Sequence, residues 1–181
     1  MRSLLLIFIL ISQIFAYQYN ALLLKTQAAL YPKIIVLDKN IEKNIQDHKI
    51  DFAVIYEDVD KLVAQKLQES IYKKFSTGIE NFSLEVKILN ISDCLSDNSC
   101  VEKTDAIYVL KIAPQRLKRV AQMIRGKNIY SFTYDKKDLQ EGFLINVSIE
   151  KRVQIYINKK VLLENSFQFA NTFYNIARII E

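Results

Sequence analysis

Few residues of this chain have the types and spacing that chemistry needs. Of 181 residues, two are cysteine, one is histidine and three are glycine. Cys94 and Cys100 stand six positions apart in a Ser/Asp/Asn-rich stretch. That spacing suits a small disulfide ring in an oxidising compartment, worth roughly 2 kcal/mol less any strain. Two thiols alone do not make a metal site, and His48 has no second histidine to join it, so it reads as a solvated loop residue. With Gly78, Gly126 and Gly142 far apart, neither a Walker loop nor a dinucleotide fingerprint can be written. A nucleophile elbow, a His-Glu-x-x-His helix and a Ser-His-Asp set are also missing. Asp58/Asp60 and Glu141/Glu150 are carboxylate pairs of the sort a glycosidase uses, but a helix start and a turn account for them. The chain therefore reads as a binding protein, with no residue assigned to catalysis, a cofactor or a metal.

Charge offers a different kind of chemistry. Between Lys111 and Lys127 the chain places Arg116, Lys118, Arg119 and Arg125 with no acid among them. On a helix these form a cationic face, a candidate docking surface (Arg116, Lys118, Arg119, Arg125) for an acidic partner or lipid headgroups; the plainer reading is a solvated helix face.

The elements that must position these groups begin after a leader. Met1-Arg2 precedes Leu4–Ile11, eight apolar residues in a row, then Ser12-Gln13 and the small residue Ala16. This is the pattern of a signal peptide over residues 1–16, and the run is too short to span a bilayer. Export to the periplasm is expected, with residues 17–181 as one domain and no stable membrane span after cleavage. Loss of the leader lowers the +5 net charge by Arg2 alone. An exported chain seldom meets nucleic acid, so that is not an expected partner.

Tyr17 to Lys39 reads as helix with Leu22, Leu23, Thr26, Ala29 and Leu30 on one side, kinked or broken at Tyr31-Pro32; Lys33–Leu37 reads equally as a further turn of helix or a short strand. Asp38 to His48 is polar and reads as a surface connection. Ile50–Tyr56 is a buried strand. Glu57, Asp58 and Asp60 open a helix whose stripe is Val59, Leu62, Val63, Leu67, Ile71 and Phe75, stopping near Gly78. Ser83–Ile91 and Ala106–Leu110 are further strands. Pro114 starts a helix with Leu117, Val120, Ala121 and Ile124 on its inner face, ended by Gly126. Ile129–Tyr134 is a fourth strand, and 143–149 with 153–158 form a hairpin about Glu150-Lys151-Arg152. From Asn165, a candidate N-cap, Phe169, Ala170, Phe173, Ile176, Ala177 and Ile180 give the stripe of a closing helix. The fold class is α/β: a single mixed sheet of about five or six strands flanked by helices, with a C-terminal β-hairpin followed by a packing helix.

The stretch Gly142-Phe-Leu-Ile-Asn-Val-Ser-Ile-Glu-Lys-Arg-Val-Gln-Ile-Tyr-Ile-Asn158, with Asn171-Thr-Phe-Tyr-Asn-Ile-Ala-Arg178 after it and Ile129–Asp135 before it, resembles the end of the YfiR-like family of periplasmic regulatory proteins. The resemblance is strongest over residues 129–180. Ala21-Leu-Leu-Leu-Lys25 through Tyr31-Pro32 is similar to the family's opening helix, with Tyr31 where the family has tryptophan, and the family's cysteine pattern is not reproduced. The resemblance implies a small regulator, in the form of a homodimer, that binds the periplasmic part of a membrane-bound signalling protein such as a diguanylate cyclase of c-di-GMP signalling or a sensor kinase, and holds it inactive. Cys94 and Cys100 would then be a candidate redox lever. A small-molecule (solute) binding module of a sensor or transport system is the alternative.

Overall fold

The computed structural model describes residues 18–97, 101 and 103–181. The expected signal peptide and Cys100 lie outside the described residues. A seven-stranded mixed sheet runs through the chain in the order β2-β1-β3-β4-β5-β6-β7. Its strands are β1 (Lys49–Tyr56), β2 (Ser83–Asn90), β3 (Ala106–Val109), β4 (Tyr130–Thr133), β5 (Ile145–Ile149), β6 (Val153–Asn158) and β7 (Ala177–Ile180). The strands from β2 to β5 are parallel, the β5–β6 hairpin is antiparallel, and β7 returns parallel to β6.

Helices cover both faces, as a largely parallel sheet requires. On one face lie α1 (Ala21–Ile35), α2 (Ile41–Asn44) and α3 (Lys61–Lys74), packed on Phe52, Val54, Tyr108 and Phe132. On the other lie α4 (Ile91–Asp97) and α5 (Pro114–Ile124), packed on Ala53, Ile55, Ile107 and Val109. The alternation of apolar residues along β1 supplies both layers, because successive side chains of a strand point to opposite faces. Leu117, Val120, Ala121 and Ile124 of α5 are all buried, and Pro114 occupies its first turn. Gly78 sits at φ +89°, in a turn where a Cβ would collide with the Phe82 carbonyl.

Four local expectations change. Of the kink or break expected at Pro32 there is no break: the proline lies inside α1, which takes the helical alternative on to Ile35. Tyr31 anchors the helix there, fully buried and stacked on Phe132 at 4.4 Å, and this packing outweighs the hydrogen bond that proline forfeits. The buried face of α1 is Gln27, Ala28, Tyr31, Ile34 and Ile35, so Leu22, 63% exposed, points outward. Along α3 the buried residues are Ala64, Leu67 and Ile71, while Val59 and Leu62 stay exposed. The polar segment after α1 is no mere surface connection. Asp38 is buried, accepting hydrogen bonds from the Asn40 and Gln168 amides, Tyr130 Oη and Asn44 Nδ2.

The closing helix is also shorter than its stripe suggests. Residues 159–164 form α6 (Lys159–Glu164), capped by Asn158, and α7 is confined to Asn171–Ile176, after which the chain turns into β7. Asn165 is not an N-cap: its Oδ1 accepts from the Asn128 amide and its Nδ2 donates to the Val161 carbonyl. Phe169 and Phe173 are buried from an extended segment and a short helix respectively, so a four-residue spacing arises without one continuous helix.

Candidate binding crevice

A doubly wound parallel sheet has a crevice at the carboxyl ends of its strands where successive connections leave in opposite directions, and ligands of such folds bind there. Here that point falls between β1 and β3, since β2 lies on one side of β1 and β3 on the other. The chain after β1 supplies Glu57, Asp58 and Asp60; the chain after β3 supplies Lys111; the chain after β4 supplies Tyr134 and Asp135. The crevice thus gathers several carboxylates about the single cation Lys111.

Tyr19, from the extended segment before α1, fills it. Tyr19 Oη donates to Asp60 Oδ2 at 2.8 Å and accepts from the Lys111 amide at 3.0 Å. Its ring meets that of Tyr134 edge-on at 4.8 Å, and Lys111 Nζ lies 5.4 and 5.2 Å from the two ring centres while donating to the Gln18 carbonyl at 2.8 Å. Tyr134 Oη accepts from the Asn20 amide at 2.8 Å. The walls are engaged as well: Glu57 accepts from the Ala113 amide at the start of α5, and Asp58 from Asn90 Nδ2. Burial, assisted by the bond to Asp60, pushes the Tyr19 phenol well above its ordinary range. Burial also raises the Asp60 carboxyl, against the opposing effect of the Tyr19 hydroxyl.

A second opening lies between β4 and β5, which pair over only Phe132↔Ile145 and Thr133↔Asn146 before diverging. Side chains of α1 fill the gap. Gln27 Nε2 donates to the Val147 carbonyl at 2.8 Å and the Tyr134 carbonyl at 3.0 Å, and its Oε1 accepts from Tyr108 Oη. Tyr31 Oη donates to the Thr133 carbonyl at 2.8 Å and accepts from the Val147 amide at 3.1 Å. Asn146 Nδ2 adds bonds to the Thr133 and Tyr134 carbonyls. Main-chain groups that a neighbouring strand would have paired are thereby satisfied by side chains, as burial demands.

Of the residues singled out from sequence, Asp58, Asp60 and Lys111 come to this crevice, and the candidate docking face and the cysteines do not. Arg116, Lys118 and Arg119 are exposed on α5 and Arg125 just past its end, on the opposite helical layer from α1 and α3. Arg125 pairs with Glu164 at 3.1 Å and Arg119 reaches the Leu95 carbonyl. Cys94 is buried on α4 beside the α5 layer. His48 is exposed, at φ 53°, against the Phe82 ring. Sequence reasoning missed Tyr19, Lys111, Gln27 and Tyr31 as a group. Their signal was weak: a lone glutamine in an apolar helix and a lone asparagine, Asn146, in an apolar strand.

No family model and no curated protein matches the chain. Its fold is found in solved structures. A conserved domain protein from Vibrio cholerae O1 biovar El Tor is 12% identical, with a TM-score of 0.58 over 84% of this chain and 60% of that one. An ABC domain from Streptococcus pneumonia, solved in complex with L-Trp, is also 12% identical, with a TM-score of 0.57 over 83% of this chain and 62% of that one. The chain therefore spans about three fifths of the length of either, and what is shared is the α/β architecture.

Proposed function

We propose that this chain is an exported, homodimeric regulator that works by contact, holding a membrane-bound signalling protein such as a diguanylate cyclase or sensor kinase in its inactive conformation. The YfiR-like resemblance of residues 129–180 motivates the reading. The observation that carries it is the filled crevice: where this type of sheet takes a small ligand, the chain has placed its own Tyr19 with both hydroxyl bonds satisfied. A protein whose ligand crevice is occupied by itself acts through its outer surface, and it changes a partner's output by preferring one of that partner's states. A Cys94–Cys100 bridge belongs to the same reading; thiol titration of the denatured, unreduced chain is expected to find no reactive thiol.

The test is deletion of the chain in its host, with measurement of the output of a membrane-bound cyclase or kinase encoded beside it. Output is expected to rise, and fractionation is expected to recover the protein without residues 1–16 outside the cytoplasmic membrane. Unchanged output, or the intact polypeptide among cytosolic proteins, overturns the proposal.

Solute binding is the second reading. It is favoured by the likeness of fold to the L-Trp-bound ABC domain and by the placing of the Asp60 carboxylate near the Lys111 charge, which would suit a zwitterion if Tyr19 withdrew. A saturable rise in melting temperature with L-tryptophan or another amino acid would select it.

A further inference from the structure

Away from the crevice, α1 and α3 enclose an open groove of about 1000 Å³ on the outer side of their layer. Its apolar lining includes Leu22, 63% exposed, Leu24 and Val153, 46% exposed. Leu22 is large and apolar, yet it stays exposed among the described residues. Among the described residues four lysines stand around the groove, Lys25 from α1 and Lys66, Lys73 and Lys74 from α3, all exposed, and no aspartate or glutamate lines it.

We infer that this groove is a docking site for an amphipathic helix of a partner protein, with an apolar stripe flanked by acidic residues. The charges decide between occupants. From Lys66 to Lys74 the rim extends about 12 Å along α3, so it offers ammonium groups at both ends of a length that one headgroup cannot reach. A helix with acids one or two turns apart meets them all while laying its stripe on the leucines, the mode in which grooves receive helices. The concave shape disfavours a flat bilayer surface. The chain's own residues 1–17 match the apolar floor but carry Arg2 and no acid, so they do not match the rim.

This inference rests on the contact-regulator reading and names the partner chemistry that reading lacks. The test uses the purified chain and a fluorescent synthetic helix with leucines at i, i+3, i+4 and i+7 and glutamates flanking them, read by anisotropy. Saturable binding is expected, weakened about tenfold by Lys66→Glu with Lys73→Glu and unaffected by Arg116→Glu with Arg119→Glu on α5. Circular dichroism and urea midpoints matching the parent chain keep misfolding out of the comparison. Three outcomes overturn the inference: no binding of the acidic helix, equal binding of a lysine-flanked version, or a loss produced by the α5 reversal in place of the α3 one. Phosphatidylglycerol vesicles or dodecanoate bound through Lys66 and Lys73, with the acidic helix ignored, assign the groove to lipid and overturn it equally. If chain deletion changes the partner's output but the Lys66→Glu/Lys73→Glu chain still restores control, the groove fails and the regulator stands. If deletion changes nothing, the regulator reading fails whatever the peptide does.

Discussion

The sheet opens twice at its carboxyl edge, and both openings are closed by the same N-terminal stretch in different ways. Between β4 and β5 the filling groups, Gln27 and Tyr31, are fully buried and bond to main-chain atoms of two diverging strands. Between β1 and β3 the filling group, Tyr19, is only partly buried; it comes from an extended segment and bonds to one side chain and one amide. The first closure is part of the core, since removing it orphans several buried polar groups at once. The second is a plug held by two bonds, and its removal leaves the core intact. One chain segment thus serves as a permanent staple at one end and a detachable stopper at the other.

Replacing Gln27 with leucine gives the largest expected effect. The substitution keeps the volume but leaves the Val147 carbonyl and Tyr108 Oη without their partner. With each unsatisfied buried group costing about 1–3 kcal/mol, a loss of about 4 kcal/mol is expected from urea unfolding. A loss under about 1 kcal/mol would mean the β4–β5 opening is not stapled at all. Tyr31→Phe comes next. It orphans the Val147 amide, while the Thr133 carbonyl retains Asn146 Nδ2, so about 2 kcal/mol is expected from the same measurement.

Acidity separates the two openings further. Asp138, in the 3₁₀ turn Lys136–Glu141 after β4, is buried, and that burial pushes its carboxyl up to about 6 from 3.8, with the charge of Asp135 adding to the rise. The native chain thus holds a proton that the unfolded chain has already released. Its share of stability is complete below 3.8 and is lost as the pH rises past about 6. Asp138→Asn is expected to flatten this decline and to make the chain more stable at pH 7, by less than Tyr31→Phe destabilises it. Urea midpoints across pH 3.5 to about 7 check it. A variant whose midpoints fall as steeply as the parent's locates the titration elsewhere.

Much of this frame is legible in the sequence. β1, β2, β3 and the hairpin came from short apolar or alternating runs, and α5 from a stripe whose four members are all buried. The sheet was expected to have about five or six strands; it has seven, because β7 came from the stretch read as a helix. Ala177-Arg-Ile-Ile180 is too short for periodicity to separate the two states, and pairing with β6 decides it. The two closures were illegible for another reason. Gln27 lies one position from the stripe assigned to α1, and only the divergence of β4 from β5, a tertiary event, gives its amide carbonyls to bond. Tyr19 reads as one more aromatic close to the apolar run of residues 4–11, because nothing local says that the end of β3 will lie beside it. The lysines around the α1–α3 groove are likewise ordinary surface residues until two helices distant in sequence bring them together.

Tyr19→Ala is the smallest expected change in stability and the sharpest separation of plug from staple. It removes a partly exposed ring and two hydrogen bonds; Asp60, buried behind that ring, loses its partner but gains access to water once the ring is gone, so about 1 kcal/mol is expected from urea unfolding. Locally the change is larger. The Lys111 amide, whose acceptor is Tyr19 Oη, is expected to exchange its hydrogen much faster in the variant, while the neighbouring Leu110 amide, bonded to the Ile55 carbonyl within the sheet, keeps its protection. Should both amides accelerate together, or should the stability loss approach that of Gln27→Leu, the crevice would be closed by the core itself and the distinction between the two openings would disappear.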